Sequence, residues 1–144
     1  ATLDVVGDGP LMTRMREAGA DEIASSRLRL TGAQTMDAQT YRRWDVTLLC
    51  SAYEGYPLVP LESLASGVPV VCTPIPAAVE MLDTHAPYML ARDATPLAIA
   101  QAVQQLLRRN PAEVQRDIEK INGDHAPQDF VRRWDEMLTE RLRA

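Results

Sequence analysis

Lysine is almost missing from this sequence of 144 residues, in which Lys120 is the single lysine among 15 basic residues and all the others are arginine. Acidic residues number 20, so the formal net charge at pH 7 is −5. A protein that binds nucleic acid normally presents a basic surface, so this balance disfavours nucleic acid as a partner. No apolar run approaches the roughly 18 residues that a membrane-spanning helix needs, and no signal-peptide pattern opens the chain.

Cysteine is equally scarce, with only Cys50 and Cys72 present, which is too few for a disulfide framework. Both cysteines lie in apolar runs, where a buried free thiol is the ordinary interpretation. This usage fits a reducing, cytoplasmic setting. Hydrophobic residues make up 46% of the chain and charged residues 24%, which is the balance of a folded domain and not of a disordered segment.

Short apolar runs alternate with amphipathic segments along the whole chain, and Gly or Pro marks most of the boundaries. Because short strands that alternate with helices form right-handed crossovers, we predict one α/β domain over residues 1–144, with a parallel sheet of about five strands flanked by helices. The predicted strands cover residues 3–6, 27–31, 46–50, 68–72 and, weakly, 88–90. The predicted helices cover about residues 10–19, 38–43, 60–66, 77–83, 95–109, 111–122 and 128–142.

Ligands of such sheets bind beyond the carboxyl ends of the strands, so we expect the loops at residues 7–10, 32–36, 51–59 and 73–79 to face one crevice. Two carboxylates separated by seven residues lie there: Glu54 in a loop after a strand, and Glu62 in the first turn of the helix that Pro60 opens. The amide groups at this helix N-terminus could hold a phosphate. The competing interpretation is structural, because a carboxylate in a first turn also complements the helix dipole, and a loop glutamate is often only solvated.

The segments at residues 4–10 and 54–71, together with Ser51 and Glu80, resemble the C-terminal, donor-binding domain of the retaining glycosyltransferases of family 4 (glycosyl transferases group 1). The two glutamates have the spacing of that family's signature, with Gly55 after the first of them. The resemblance implies a GT-B fold, of which this chain is one Rossmann-like half. It also implies transfer of a sugar from a nucleoside-diphosphate sugar to an acceptor hydroxyl with retention, in bacterial polysaccharide or lipid-linked glycan synthesis.

The resemblance also assigns roles to single residues. Glu62 takes the position of the ribose ligand, since a carboxylate can accept hydrogen bonds from both hydroxyls of a vicinal diol. Glu54 is the catalytic candidate, placed to favour oxocarbenium character in the transferred sugar. The other candidate substrate-binding residues, several of them through backbone groups, are Gly55, Tyr56, Leu58, Val59, Ala33, Gly7 and Ser51. Gly7 could instead only shape a tight turn, and the Ser51 hydroxyl could bind a phosphate or have a structural role.

The expected partners follow from the same resemblance. They are a nucleotide-sugar donor and a glycan or lipid-linked acceptor, the latter held by an N-terminal domain that this sequence lacks. No Asp-x-Asp motif is present, so we expect a metal-independent site without a cofactor. We expect a cytoplasmic protein, and peripheral contact with the inner face of a membrane is left open.

Three departures from the family pattern limit these expectations. The sequence begins after the strand-helix unit that supplies an Arg and a Lys to the donor phosphates, so we expect a fragment that is inactive alone. Pro76 and Ala77 replace a common Gly pair, and Pro57 replaces a common Gly.

These departures keep a second hypothesis open, a degenerate GT-B-like interaction module without catalysis. An epimerase is a weaker alternative, because neither His85 nor His125 lies in the context of a site histidine.

Overall fold

The computed structural model describes residues 1–126 and 128. They divide into two compact units, one covering Ala1–Met36 and one that begins at Asp37. The helix predicted at residues 128–142 lies outside the described residues, apart from residue 128. One domain over residues 1–144 stays a prediction.

The first unit contains one pair of parallel strands and two short helices. Strand β1 (Leu3–Val6) pairs with β2 (Leu28–Gly32), and helices α1 (Met12–Ala18) and α2 (Ala20–Ala24) connect them. Asp4 and Arg29 face each other across the strands and form a bidentate ion pair, with 2.6 Å between Arg29 Nε and Asp4 Oδ1. The helix predicted at about residues 10–19 is confirmed as α1, which is slightly shorter and ends with Gly19 as its C-cap residue, whereas α2 was not predicted. The helical segment is divided at Gly19, a residue that disfavours a helix interior.

The second unit is built on a second parallel pair. In it, β3 (Thr47–Leu49) lies beside β4 (Val70–Cys72), so that Leu49 is opposite Cys72. The helices are α3 (Ala38–Tyr41), α4 (Leu58–Ala65), α5 (Pro76–Leu82), α6 (Pro96–Leu107) and α7 (Pro111–Asp124). The predicted cap of α3 is confirmed, because Asp37 Oδ1 accepts a hydrogen bond from the Thr40 amide at 2.7 Å. That bond and one from the Thr40 hydroxyl lower the pKa of Asp37.

The α/β class with parallel strands is confirmed, but the weak strand predicted at residues 88–90 is wrong. A 3₁₀ helix covers Pro87–Met89, and only Leu90 forms a parallel bridge, to Cys72. Pro87 explains the difference, because its fixed φ suits the first position of a helical turn and it has no amide to give to a strand. The described residues thus form four strands in two pairs, fewer than the predicted five.

The core of the second unit surrounds β4, whose three residues are all buried. Helices α4, α6 and α7 contribute buried apolar side chains to it, among them Leu64, Leu106, Ile118 and Ile121. Helix α4 returns the chain to β4 through a Schellman motif: the Gly67 amide donates to Leu64 O and the Val68 amide donates to Ser63 O. Gly67 has φ +80°, a conformation that glycine adopts without strain.

The two cysteines differ in their environments. Cys72 is buried in β4, whereas Cys50 is exposed, because β3 ends at Leu49 and the chain leaves the strand pair there. The expectation of two buried thiols is therefore wrong for Cys50. Burial raises the pKa of the Cys72 thiol to about 12, and partial desolvation also raises that of Cys50. In the described part of the chain, no helix is long and apolar enough to cross a membrane.

Leu106 and Leu107 are adjacent residues at the end of α6 that test this account of the core. Leu106 is 3% exposed and Leu107 is 58% exposed. We expect Leu106→Ala to lower the free energy of unfolding by about 2–5 kcal/mol, because it leaves a cavity. Leu107→Ala should change it by less than about 0.5 kcal/mol. Urea denaturation followed by circular dichroism measures both, and equal losses for the two variants would contradict the assignment of α6.

Candidate functional site

The carboxyl end of the β3–β4 pair is held by one buried threonine. Thr73 follows β4 and is 2% exposed. Its amide donates to Leu49 O at 2.9 Å, and its hydroxyl Oγ1 donates to Ser51 O at 2.6 Å. The backbone hydrogen bonding of the strand pair therefore extends past the last strand residue, and it fixes where the loop that carries Glu54 begins.

Ser51 in turn contacts the catalytic candidate. The Ser51 hydroxyl donates a hydrogen bond to Glu54 Oε1 at 2.7 Å, and both residues are partly buried. The proton of this hydroxyl is thus used within the protein, which is the structural alternative left open for Ser51. Within the described residues, no hydrogen bond to Glu54 Oε2 is present. The carboxylate therefore has one oxygen held by Ser51 and one that a ligand can approach.

Helix α4 begins at Leu58, two residues earlier than predicted, with Pro57 as its N-cap residue. Pro60 is tolerated at the third helical position, because the amides of the N-cap residue and of the first three helical residues have no intrahelical acceptor. As a consequence, Glu62 lies beyond the first turn, which contains no acidic residue. The prediction of Glu62 in the first turn is wrong, and dipole complementarity no longer explains this carboxylate.

The same two prolines determine which amides the N-terminus of α4 offers. Of the four N-terminal amides of a helix that lack an intrahelical acceptor, two are absent here, because Pro57 and Pro60 have no N–H group. The remaining two belong to Leu58 and Val59, whose residues are 60% and 42% exposed. Gly55 lies just before them in the loop, where an added Cβ would meet no atom within 4 Å. The amides of these two exposed residues are the candidate donors to an anionic ligand.

Glu62 accepts a hydrogen bond from a residue that no motif in the sequence marks. Tyr41, at the end of α3, is 2% exposed, and its hydroxyl donates to Glu62 Oε2 at 2.8 Å. Burial and this hydrogen bond to a carboxylate raise the pKa of Tyr41. The two residues are 21 positions apart, and no local pattern in the sequence connects them. The only available signal was the Asp37 cap, which predicts the helix that ends in Tyr41.

The loop between β3 and α4 exposes two aromatic rings, Tyr53 at 81% and Tyr56 at 58%. The Tyr56 hydroxyl lies 3.3 Å from Nδ1 of His125, at the end of α7. The neighbouring Asp124 Oδ2 lies 2.8 Å from Nε2 of His85. His125 therefore contacts a candidate binding residue, and no signal in the sequence indicated this contact.

Two further candidates, Gly7 and Ala33, lie at loops of the first unit, and the Pro76–Ala77 departure lies at the start of α5. In the first unit, the Gly7 amide donates to Gly32 O at 2.8 Å, which joins the carboxyl ends of β1 and β2, and Ala33 follows as an exposed residue. Gly7 has φ +130° and no atom within 4 Å of an added Cβ. Pro76 is the first residue of α5, so Ala77 is helical and needs no positive φ. The Pro76–Ala77 departure from the family pattern is therefore accommodated by a helix start.

No three His, Cys, Asp or Glu side chains of residues 1–126 and 128 converge as a group that could hold a metal ion. Metal independence stays a prediction. Glu54 and Glu62 instead each accept a hydrogen bond from a hydroxyl group, of Ser51 and of Tyr41.

Residues 1–109 match the sequence profile of the family described as glycosyl transferases group 1. The chain belongs to this family. A curated relative is EpsF of Bacillus subtilis (strain 168), whose name provisionally assigns it as a glycosyltransferase and which is 33% identical over 69 residues. That match covers 48% of this chain and 18% of EpsF.

Solved structures of GT-B glycosyltransferases share the fold. A TarM variant of S. aureus, crystallised with fondaparinux, α-GlcNAc-glycerol and UDP, has a TM-score of 0.79 at 18% identity, covering 94% of this chain and 28% of that one. HepE of Anabaena, crystallised with UDP and glucose, has a TM-score of 0.75 at 17% identity, and the match covers 96% of this chain and 40% of HepE. Pneumococcal GtfA, with UDP and GlcNAc, has a TM-score of 0.73 at 19% identity, covering 99% and 30%. The chain thus spans less than half of each of these proteins.

The buried Thr73 hydroxyl gives a stability test of the site's framework. We expect Thr73→Val to lower the free energy of unfolding by about 1–3 kcal/mol, because it removes the donor to the Ser51 carbonyl while it preserves side-chain shape. Thr31→Val is the matched control, since the Thr31 hydroxyl donates to Val5 O at an exposed position, 3.1 Å away. That variant should stay within about 0.5 kcal/mol of the original protein. Urea denaturation measures the free energy of unfolding of both variants. An unchanged value for Thr73→Val would contradict the role of Thr73 in holding the loop.

Proposed function

We propose that this glycosyl transferases group 1 domain binds the nucleoside-diphosphate sugar of a retaining glycosyltransferase. The observation that carries the proposal is the pair of carboxylates, Glu54 and Glu62, each held through one oxygen by a protein hydroxyl. They flank the N-terminus of α4, which begins at Leu58. An anion, a diol and a sugar are the chemical groups that such a set of acceptors and amides can bind.

The diphosphate belongs at the amides of Leu58 and Val59. These groups lie in the first turn of α4, where the helix dipole adds a partial positive charge. Gly55 leaves space for close approach of the ligand to the backbone. Because Lys120 lies on α7 and is bonded to Asp117, it is not part of this set. Arginine or lysine side chains from elsewhere in the complete protein supply the remaining countercharge.

The ribose belongs at Glu62, whose carboxylate can accept hydrogen bonds from both hydroxyls of a vicinal diol. The transferred sugar belongs at Glu54, whose negative charge stabilises developing positive charge at the anomeric carbon. With retention of configuration, the leaving phosphate can take the proton of the acceptor hydroxyl on the same face of the sugar, so no protein nucleophile is needed. Gly7 and Ala33 are proposed at the nucleotide on the strength of the family resemblance.

The complete enzyme is proposed to add sugar to a glycan or lipid-linked acceptor in a bacterial cytoplasm, with the acceptor held by another domain. UDP is the first donor nucleotide to test, because GtfA and HepE were crystallised with it. Peripheral membrane contact belongs to the same proposal, since lipid-linked acceptors are membrane-associated. Catalysis is proposed to proceed without a metal.

Glu62→Gln in the complete gene product tests the ribose role. We expect its Kd for UDP to rise about 10- to 100-fold, because a hydrogen bond to a charged group contributes about 1.5–3 kcal/mol. Glu119→Gln, on an exposed position of α7, is the control and should leave the Kd unchanged. Isothermal titration calorimetry provides both values. Equal affinity of the Glu62→Gln protein and the control would remove the ribose role.

Glu54→Gln tests the catalytic role separately. We expect kcat to fall about 10²- to 10³-fold, as for removal of an electrostatic group from a transition state, while the Kd for UDP changes less than about threefold. Initial rates with a nucleotide-sugar donor measure kcat. Unchanged turnover in the Glu54→Gln protein would show that Glu54 does not act on the sugar. If neither the original protein nor the variant turns over the donor although both bind UDP, the result would favour the non-catalytic module.

A further inference from the structure

Tyr41 has the properties of a fixed hydrogen-bond donor. The ring is 2% exposed and packs edge-to-face against Trp44, with 6.0 Å between the ring centroids. Its backbone amide donates to Asp37 O, in the short helix that Asp37 caps. A buried ring with these contacts has little freedom to rotate, so the position of the hydroxyl is set by the packing of α3.

Tyr41 also stays protonated over the physiological pH range, because burial and the adjacent Glu62 carboxylate both raise its pKa. Its O–H group is therefore a permanent donor, and its acceptor is an ionisable carboxylate. The observed O–O distance of 2.8 Å is that of an ordinary well-formed hydrogen bond between a hydroxyl group and an oxygen acceptor.

Glu62, in contrast, lies at an exposed position of α4, where a glutamate side chain ordinarily samples several rotamers. Only Oε2 is bonded to Tyr41, and within the described residues no hydrogen bond to Oε1 is present. The contact therefore orients the carboxylate and leaves acceptor capacity on both oxygens, because each oxygen has two lone pairs. A ligand that meets a preoriented group loses less conformational entropy on binding.

We propose that Tyr41 is a positioning residue that holds the Glu62 carboxylate in the orientation in which it accepts hydrogen bonds from the ribose hydroxyls of the donor nucleotide. The inference rests on the proposed function, because it assumes that Glu62 binds the ribose. It adds a residue from outside the motif that carries the two glutamates. It also gives α3 a role in nucleotide affinity through a contact that spans 21 positions of the chain.

The test uses Tyr41→Phe in the complete gene product, which keeps the buried ring and removes only the hydroxyl. Two ligands are titrated calorimetrically, UDP and 2′,3′-dideoxyuridine 5′-diphosphate, which lacks the diol. We expect Tyr41→Phe to weaken UDP binding about 3- to 10-fold and to leave the affinity for the dideoxy ligand within about twofold. A structural role alone would weaken both ligands equally.

Tyr88→Phe is the matched control, because the Tyr88 hydroxyl also donates to a carboxylate, Asp117 Oδ2 at 3.1 Å, and the residue is 9% exposed. It should change neither affinity. In the double variant with Glu62→Gln, Tyr41→Phe should add no further loss, because both substitutions act through one contact.

The outcomes separate the inference from the proposed function. If Glu62→Gln abolishes the preference for UDP over the dideoxy ligand and Tyr41→Phe leaves that preference intact, the positioning role is wrong and the ribose role stands. An equal loss for both ligands in Tyr41→Phe also overturns it. If the original protein does not distinguish the two ligands, the ribose role itself fails.

Discussion

The parallel pairing of β3 with β4 and its extension through Thr73 determine the geometry of the candidate site. Strand β4 is buried throughout and aligns Leu49 with Cys72. Thr73 then uses its amide and its hydroxyl to hold the carbonyls of Leu49 and Ser51. Because a buried carbonyl without a donor is costly, these bonds fix the start of the loop. Helix α4 is held against the same strands by Ser63, whose hydroxyl donates to Thr47 Oγ1 at 2.8 Å, and by the buried Leu64.

Two hydroxyl groups then orient the two carboxylates on which the proposed chemistry depends. Ser51, at the start of the loop, binds Glu54, and Tyr41, from the helix that precedes β3, binds Glu62. The prolines on either side of Leu58 and Val59 restrict the amides available at the N-terminus of α4 to this pair. The candidate site therefore combines oriented acceptors with a short run of amide donors, and the proposed binding of a sugar nucleotide rests on these groups.

Local sequence signals predicted much of this arrangement. The apolar runs around Leu48 and Val71 indicated parallel strands, and Asp37 indicated a helix cap. The candidate binding loop came from the resemblance of residues 54–71 to the family pattern and not from the spacing of the two glutamates alone. The start of α4 was predicted two residues late, because Pro60 was assigned to the first helical position although a proline also fits the third. The Tyr41–Glu62 contact could not be predicted, because it depends on how α3 packs on α4, and no local pattern encodes that packing.

A crystal structure of the complete gene product with bound UDP tests the central claim most directly. We expect diphosphate oxygens about 2.7–3.2 Å from the amide nitrogens of Leu58 and Val59, and ribose hydroxyls at the same distance from the carboxylate oxygens of Glu62. Glu54 should face the position of the transferred sugar beyond the diphosphate. A nucleotide bound with its diphosphate away from α4, or with its ribose out of reach of Glu62, would contradict the account.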